Sequence, residues 1–327
     1  MTQPPRVSMV VPSRTGDVRA LQAQLRQQTF RDWELIVNTE PGTPGLARNR
    51  GAAQARGPYL IFFDDDVQLG HESLLADLVS ALITAGPLAA IGVPCRLTPE
   101  ANRFQRRAFA EAVAEFAPAY GQRLTPVGWE DSVNGRCMAM HRATFEALGG
   151  FDDAQPTGEE PELLYRLTRR GGQAYLLSTS WVYFAPPPDL RTSIRKTLWY
   201  EQGNVALVRK HPEARHRLWL RHRWHAAGYL ALRTLALPVL LFLRVSYRYR
   251  RPRLAFRPTA ALVSYIGAWA YCRYWFAAAT CAGAAVTTPR PSSPPGAFRP
   301  ALRATGSSGG PQGGSAAPAC QGAVVSS

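Results

Sequence analysis

The run YLIFFDDDV at 59–67 ends an apolar segment abruptly in three adjacent carboxylates, Asp64, Asp65 and Asp66. Neighbouring carboxylates repel one another unless a cation or hydrogen-bond donors offset them, so the triplet is costly as a plain turn. Asp64 and Asp66 project to the same side of an extended segment. Hard oxygen ligands so placed suit a divalent ion, Mg²⁺ or Mn²⁺, that also holds a diphosphate. Taken alone, the triplet also fits a solvated loop at a strand end. A second acidic cluster, GEEPEL at 158–163, puts Glu159 and Glu160 where a helix begins. The helix dipole favours acids there, so capping competes with chemistry as the reason for each. Together the clusters supply a metal-diphosphate end and a separate carboxylate, the parts needed to activate a hydroxyl and expel a nucleotide.

To face one space, these groups must sit at element ends within one domain. Residues 1–190 alternate short β-branched or aromatic runs with helix-period stretches, the pattern of an α/β domain with a mixed, mainly parallel sheet flanked by helices. The pattern predicts strands over 7–11, 33–37, 59–63, 89–93, 133–140 and 174–177. Helices are predicted over 18–28, 46–55, 72–84, 103–116, 143–148, 161–170 and 192–210. Ligands of such sheets sit beyond the carboxyl ends of strands, which is where Asp64 falls.

In order and spacing, VSMVVPSR at 7–14, GLARNRGAAQARGPYLIFFDDDV at 45–67 and GGFDDAQPTGEEPEL at 149–163 resemble the family 2 glycosyltransferases of GT-A (Rossmann-like) fold. There an ARN-G segment precedes a strand ending in a metal-binding DXD, and a GGFD…GED segment carries the catalytic base. RKTLWYEQGNVALVRKHP at 195–212 looks like the family's closing helix. The resemblance implies an inverting, metal-assisted transfer from a nucleotide-sugar donor to a hydroxyl on a glycan or lipid-linked acceptor. Asp64 and Asp66 would be the DXD pair on Mg²⁺ or Mn²⁺, with Asp65 at the variable middle position, near ribose or sugar. Pro12, Ser13 and Arg14 would line the nucleotide pocket. Arg48 and Asn49 would lie beside it or pack their helix on the sheet. Glu160 aligns with the base and Glu159 with an acceptor contact. The chain departs from the family at VNTEPGT, where an acid usually closes strand two, leaving Glu40 as substitute. Its base is Glu where Asp is usual, and SWVYFAPPP offers Tyr183 and Phe184 where a histidine often completes the metal shell. A GT-A-like nucleotidyltransferase is the rival enzyme, although PSRTGD at 12–17 lacks a Gly-rich basic triphosphate loop. A scaffold relative that has lost activity is the rival outside enzymes.

Composition separates this domain from the C-terminal third of the chain. The chain has 327 residues, 46% apolar, and a net charge of +15. Residues 1–190 hold 18 basic and 21 acidic side chains, whereas 191–257 hold 16 and 2. The excess therefore belongs to one segment, which points to an anionic surface such as a membrane leaflet or a lipid-linked phosphate. The basic residues adjoin Leu- and Ala-rich runs with no reader motif, which argues against nucleic acid. Five cysteines without CxxC spacing argue against a disulfide framework and a zinc site, and the short apolar run at 7–11 predicts no export signal. The apolar stretches 226–243 and 259–286 are each long enough to span a bilayer, which takes about 20 residues. Each, however, contains an arginine, Arg233 or Arg273, costing roughly 2.5–3.5 kcal/mol at a span centre. Helices lying on the cytoplasmic face are expected, with Trp219, Trp224, Trp269 and Trp275 at the headgroups. Spanning by 259–286 alone and a small helical subdomain on the core are the alternatives. The expected division is a catalytic domain over 1–212, a basic-apolar helical region over 213–286 and a disordered Ala/Gly/Pro/Ser tail over 287–327.

Overall fold

Apolar runs become the strands of one twisted sheet, and the helix-period stretches cover its two faces. The computed structural model describes residues 4–113, 123–128, 133, 135–213, 223–245, 252–254 and 256–281. In chain order the elements are β1 (Val7–Pro12), α1 (Arg19–Leu25), β2 (Trp33–Asn38), α2 (Pro44–Ala52), β3 (Tyr59–Phe63), β4 (Gln68–Leu69) and α3 (Leu74–Ala85). They continue with β5 (Ala89–Gly92), β6 (Cys95–Leu97), α4 (Arg103–Val113), β7 (Leu124–Val127), β8 (Cys137–His141), α5 (Arg142–Leu148) and α6 (Glu159–Arg169). Last come β9 (Gln173–Leu177), β10 (Val182–Phe184), α7 (Leu190–Lys210), α8 (Arg223–Leu240), β11 (Leu243–Val245), β12 (Pro252–Leu254) and α9 (Pro258–Cys281). Residues Met1–Gly283 form one compact unit.

The main sheet has the order β2-β1-β3-β8-β5-β9-β7. Strands β2, β1, β3, β5 and β9 run one way, and β8 and β7 oppose them. The sheet is thus mixed but mainly parallel. Its central strands read as unbroken apolar runs because both faces are covered. On β3, Leu60 and Phe62 join Phe145, Leu163 and Leu207 on one face, while Ile61 and Phe63 join Leu21, Leu25, Leu75 and Leu78 on the other. Register against β8 pairs Phe63 with Cys137, so Asp64 and Arg136, the next residues outward, stand across from each other at the sheet edge. A small second sheet, β4-β10-β6, lies beside that end of β3.

The predicted strands and helices of the first 213 residues are present with shifted ends. The predicted strand over 133–140 is β8, Cys137–His141, and the helix over 103–116 is described to Val113. The strands β4, β6 and β10 were not expected from the pattern. They have two or three residues each, too few to carry a period, and exist because they pair with one another. The Arg-rich segment between the apolar stretches contributes the antiparallel pair β11 and β12. Helix α9 packs along α7 and α8, burying Val205, Tyr271 and Cys272. The arginines inside the apolar stretches lie on aromatic rings: Arg233 donates to the Tyr229 hydroxyl at 2.7 Å, and Arg273 stands over Trp269. Among the described residues no helix is long and apolar enough to cross a membrane. Trp219 and the predicted tail over 287–327 lie outside the described residues.

Candidate active site

The carboxyl end of β3, the start of α6 and the middle of α7 surround a cleft of ≈ 750 Å³. Asp64, Asp65 and Asp66 form one wall, Glu159 and Glu160 another, and Lys196, Trp199, Tyr200 and Asn204 a third. Sequence alone puts the α7 residues on one face, since positions 196, 199, 200 and 204 fall at helical spacing. The turn before α6 is tied to α7: Gln155 Nε2 donates to the Gly203 carbonyl at 2.8 Å and to the Thr157 carbonyl at 2.8 Å. A side chain at Gly203 would run into the Thr157 backbone, so the approach requires glycine there.

Helix α2 locks the two acidic clusters together through consecutive residues. Thr43 caps it, accepting from the Leu46 amide, and Pro44 opens it without wasting an amide. Asn49 turns to the 149–153 segment, accepting from the Phe151 amide (2.9 Å) and donating to the Phe151 carbonyl (2.8 Å) and Asp153 (2.7 Å). Gly150, at φ +70°, leaves the space that Asn49 fills. Arg48 turns the other way, into the cleft wall, with its side chain 4% exposed. Its Nη2 donates to Asp64 Oδ1 at 2.7 Å, its Nη1 pairs with Glu159, and Glu160 Oε1 lies 3.6 Å from Nη1. Burial opposes charge on Arg48, but Glu160, Glu159 and Asp64 outweigh it and raise its pKa. One guanidinium therefore spans the acidic end of β3 and the acidic start of α6.

The two glutamates sit in different surroundings. Burial, and then the neighbouring Glu160, push Glu159 up to about 7 despite Arg48. Glu160 faces the cleft, 14% exposed, and accepts from the Gly135 amide at 2.7 Å. Burial, then Asp64 and Asp65, also raise Asp66, with Arg136 and Lys196 opposing. Burial and Arg136 lower Lys196. Among the described residues no three His, Cys, Asp or Glu side chains converge on a metal position. The donor set still fits a hard divalent cation, because Mg²⁺-like ions are held by one or two carboxylates plus substrate phosphates and water. Crowded like charges at Asp64, Asp65 and Asp66 are what such an ion relieves.

Of the other residues the resemblance implied, Arg14 lines the cleft, while Pro12 and Ser13 are outside its lining, Ser13 accepting from the Gly16 amide at 3.1 Å. Glu40 is 64% exposed and pairs with Arg50 at 3.1 Å, outside the cleft lining. Tyr183 and Phe184 are on β10, and Phe184 carries the Arg136 guanidinium on its ring at 4.4 Å. Arg136, Gly135, Lys196 and Tyr200 are cleft residues that the sequence reading did not single out.

Residues 13–149 match the family model described as Glycosyl transferase family 2. They are a glycosyl transferase family 2 domain. The matched stretch of this domain ends at the GGFD turn, so α6, with Glu159 and Glu160, lies just beyond it. The O-antigen biosynthesis protein RfbC from Myxococcus xanthus is 29% identical over 209 residues, 51% of this chain and 16% of RfbC. The chain thus spans about a sixth of the length of that relative. The mannosyltransferase PcManGT from Pyrobaculum calidifontis, solved with GDP-Man and Mn²⁺, is 18% identical with a TM-score of 0.51, covering 85% of this chain and 87% of its own. The family 2 domain thus shares the GT-A fold of that enzyme.

Behind the glutamates, Glu162 anchors α6. Its carboxylate is fully buried and accepts from Arg166 Nη2 (2.6 Å), Lys210 Nζ (2.8 Å) and His211 Nε2 (2.9 Å). Arg166 also donates to the Gly150 carbonyl at 2.7 Å, joining α6 to the 149–153 turn. Burial alone would raise Glu162, but these donors outweigh it and hold the carboxyl at about 2, against an ordinary 4.5. A depressed folded-state pKa contributes stability that is complete above 4.5 and lost as pH falls toward 2. The shift corresponds to about 3 kcal/mol. Urea melts between pH 6 and 3 should show this acid loss, and Glu162→Gln, less stable at neutral pH, should flatten it. An unchanged acid limb in the variant would remove Glu162 from this role.

Proposed function

We propose that the chain transfers a glycosyl group from a nucleotide-sugar to a hydroxyl of an envelope-glycan or lipid-linked acceptor, with inversion and with Mg²⁺ or Mn²⁺. The observation that carries the reading is that Asp64, Asp65, Asp66 and Glu160 share one cleft, in which one buried arginine, Arg48, links Asp64 to Glu160. Asp64 and Asp66 would hold the cation, which when bound neutralises charge on the departing diphosphate. Arg136 and Lys196, facing the same carboxylates, would assist with fixed positive charge. Glu160, oriented by the Gly135 amide, would take the proton of the attacking hydroxyl. Glu159 keeps Arg48 in place and borders the acceptor space. The family 2 match and the envelope-polysaccharide relative support this over nucleotidyl transfer.

Calorimetry with UDP and GDP tests the donor half. Uptake should require Mn²⁺ or Mg²⁺, and Asp66→Asn should weaken it at least about tenfold, or about 1.4 kcal/mol. Equal uptake in EDTA would sink the reading, including for a nucleotidyltransferase.

The helical layer supports attachment to an anionic membrane face. Nine of the fourteen exposed large hydrophobics described lie between 224 and 276, including Leu235 at 81%, Phe242 and Phe256, beside the basic segment. Phe242 and Phe256 stack at 5.3 Å, forming an apolar tip. Interfacial binding combines such apolar area with basic charge. Co-flotation with phosphatidylglycerol vesicles should be lost in a Leu235→Glu, Phe242→Glu double variant and in 0.5 M salt. Retained flotation in the variant would rule this face out.

A further inference from the structure

A second pocket, ≈ 400 Å³, opens beside the cleft between α4, α7 and α9. Arg136, Lys196 and Tyr200 line both spaces, so the two are neighbours through shared walls. Arg257, just before α9, adds a third cation, and Ser193, Thr197 and Ser264 add hydroxyls. Among the described residues lining the pocket none is acidic. The nearby Glu111 acts on Arg257 by charge alone, since its oxygens accept from the Ala260 amide at 2.7 Å and from Arg107 at 2.9 Å. Arg257 Nε is buried without a hydrogen-bond partner. A buried cationic donor left unpaired is costly, and the cost falls away when an anion enters.

Arg136 and Lys196 also face the cleft carboxylates, and Arg257 brings a third cation to a lining without acids, an arrangement that matches a phosphate dianion or diphosphate better than a lone carboxylate. Guanidinium forks and hydroxyls are suited to phosphoryl oxygens. The volume lies in the range of small-ligand sites, with room for more than one ionic group. The donor diphosphate already has a place, in the reading above, at the β3 carboxylates. We propose that this pocket seats a phosphoryl group carried by the acceptor, so that the acceptor is a phosphate- or diphosphate-bearing saccharide held with its hydroxyl toward Glu160. This rests on the transferase reading and adds the acceptor's chemical class. It also gives α9, outside the 13–149 family match, a part in choosing the acceptor.

The test uses the full chain in EDTA, so that the metal-dependent donor end is silent. The probes are glucose 1-phosphate, as a free sugar phosphate, and farnesyl diphosphate in detergent, as a lipid-borne one. Wild type should bind at least one of them, and the probe bound tells which source the pocket serves. Arg257→Gln should weaken that binding at least tenfold. Ser264→Asp, which supplies the pocket with its own carboxylate, should do the same without removing a cation. Glucuronate should bind at least tenfold more weakly than the phosphate. In the same samples, restoring Mn²⁺ should give unchanged GDP or UDP uptake in both variants. No phosphate binding by wild type, equal binding in the variants, or preference for glucuronate would overturn the proposal. So would loss of nucleotide uptake in variants whose thermal melts match wild type, since the pocket would then serve the donor. Metal-independent nucleotide uptake by wild type would instead defeat the transferase reading, so the two failures are distinct.

Discussion

Glu160→Gln should lower kcat for transfer by about 10²–10⁴-fold while leaving the donor KM within a few-fold. The substitution is nearly isosteric, and the amide oxygen still accepts from the Gly135 amide, as Glu160 Oε1 does at 2.7 Å. What disappears is the capacity to take a proton, so the loss should sit in the chemical step and not in binding. Stability should change by under about 1 kcal/mol, since the hydrogen bond survives and the 3.6 Å approach to Arg48 is the longest of that residue's three carboxylate contacts. Glu159→Gln should behave differently. It removes the closest partner of Arg48, so it should alter stability as well as turnover. Steady-state kinetics with the donor found by calorimetry, alongside thermal melts, separate the two. Turnover retained in Glu160→Gln but lost in Glu159→Gln would move the base role to Glu159.

Much of this arrangement is legible in the residues. Five apolar residues in a row before three aspartates announce a buried strand that ends at a charged edge, and β3 spans the five apolar positions. ARN and GGFD are far apart in sequence, yet each names one half of a contact: Asn49 needs Phe151, and Gly150 makes room for it. Local pattern cannot show which strands pair across the middle of the sheet. Arg136 faces Asp64 only because β8 inserts antiparallel between β3 and β5, a long-range event that no short window encodes. The acid at Glu40 reads as a nucleotide contact from its place after strand two, but its side chain leans out to Arg50. Position along a strand was readable, and direction around it was not. Helix α7 is the intermediate case. Its spacing already aligned Lys196, Tyr200 and Asn204, and only the partner of that face was missing.

The same long-range geometry makes Arg48 the residue whose loss should cost most in stability. Arg48→Met keeps the apolar stem but leaves Glu159 buried and Asp64 and Glu160 beside it with no guanidinium among them. Removing one partner of a buried ion pair costs about 3–5 kcal/mol. For a unit of this size that is a fall in Tm of roughly 10 °C or more. The deficit should depend on pH in a direction that identifies its cause. Glu159 is already held up at about 7 with Arg48 present, and without the guanidinium its folded-state pKa rises further. A carboxyl whose folded pKa exceeds its unfolded value binds its proton first in the native state, so acidification stabilises the fold until pH reaches the unfolded value near 4.5. The gap between Arg48→Met and wild type should therefore be widest at pH 8 and shrink by pH 5, above the range in which Glu162 is lost. Arg48→Lys restores a charge but not a fork, and one ammonium cannot serve Asp64 and Glu159 as the guanidinium does, so it should recover stability only in part. Urea melts at both pH values decide the matter. A gap that stays constant from pH 8 to 5 would mean that Arg48 acts through packing, and the electrostatic link between the two ends of the cleft would have to be abandoned.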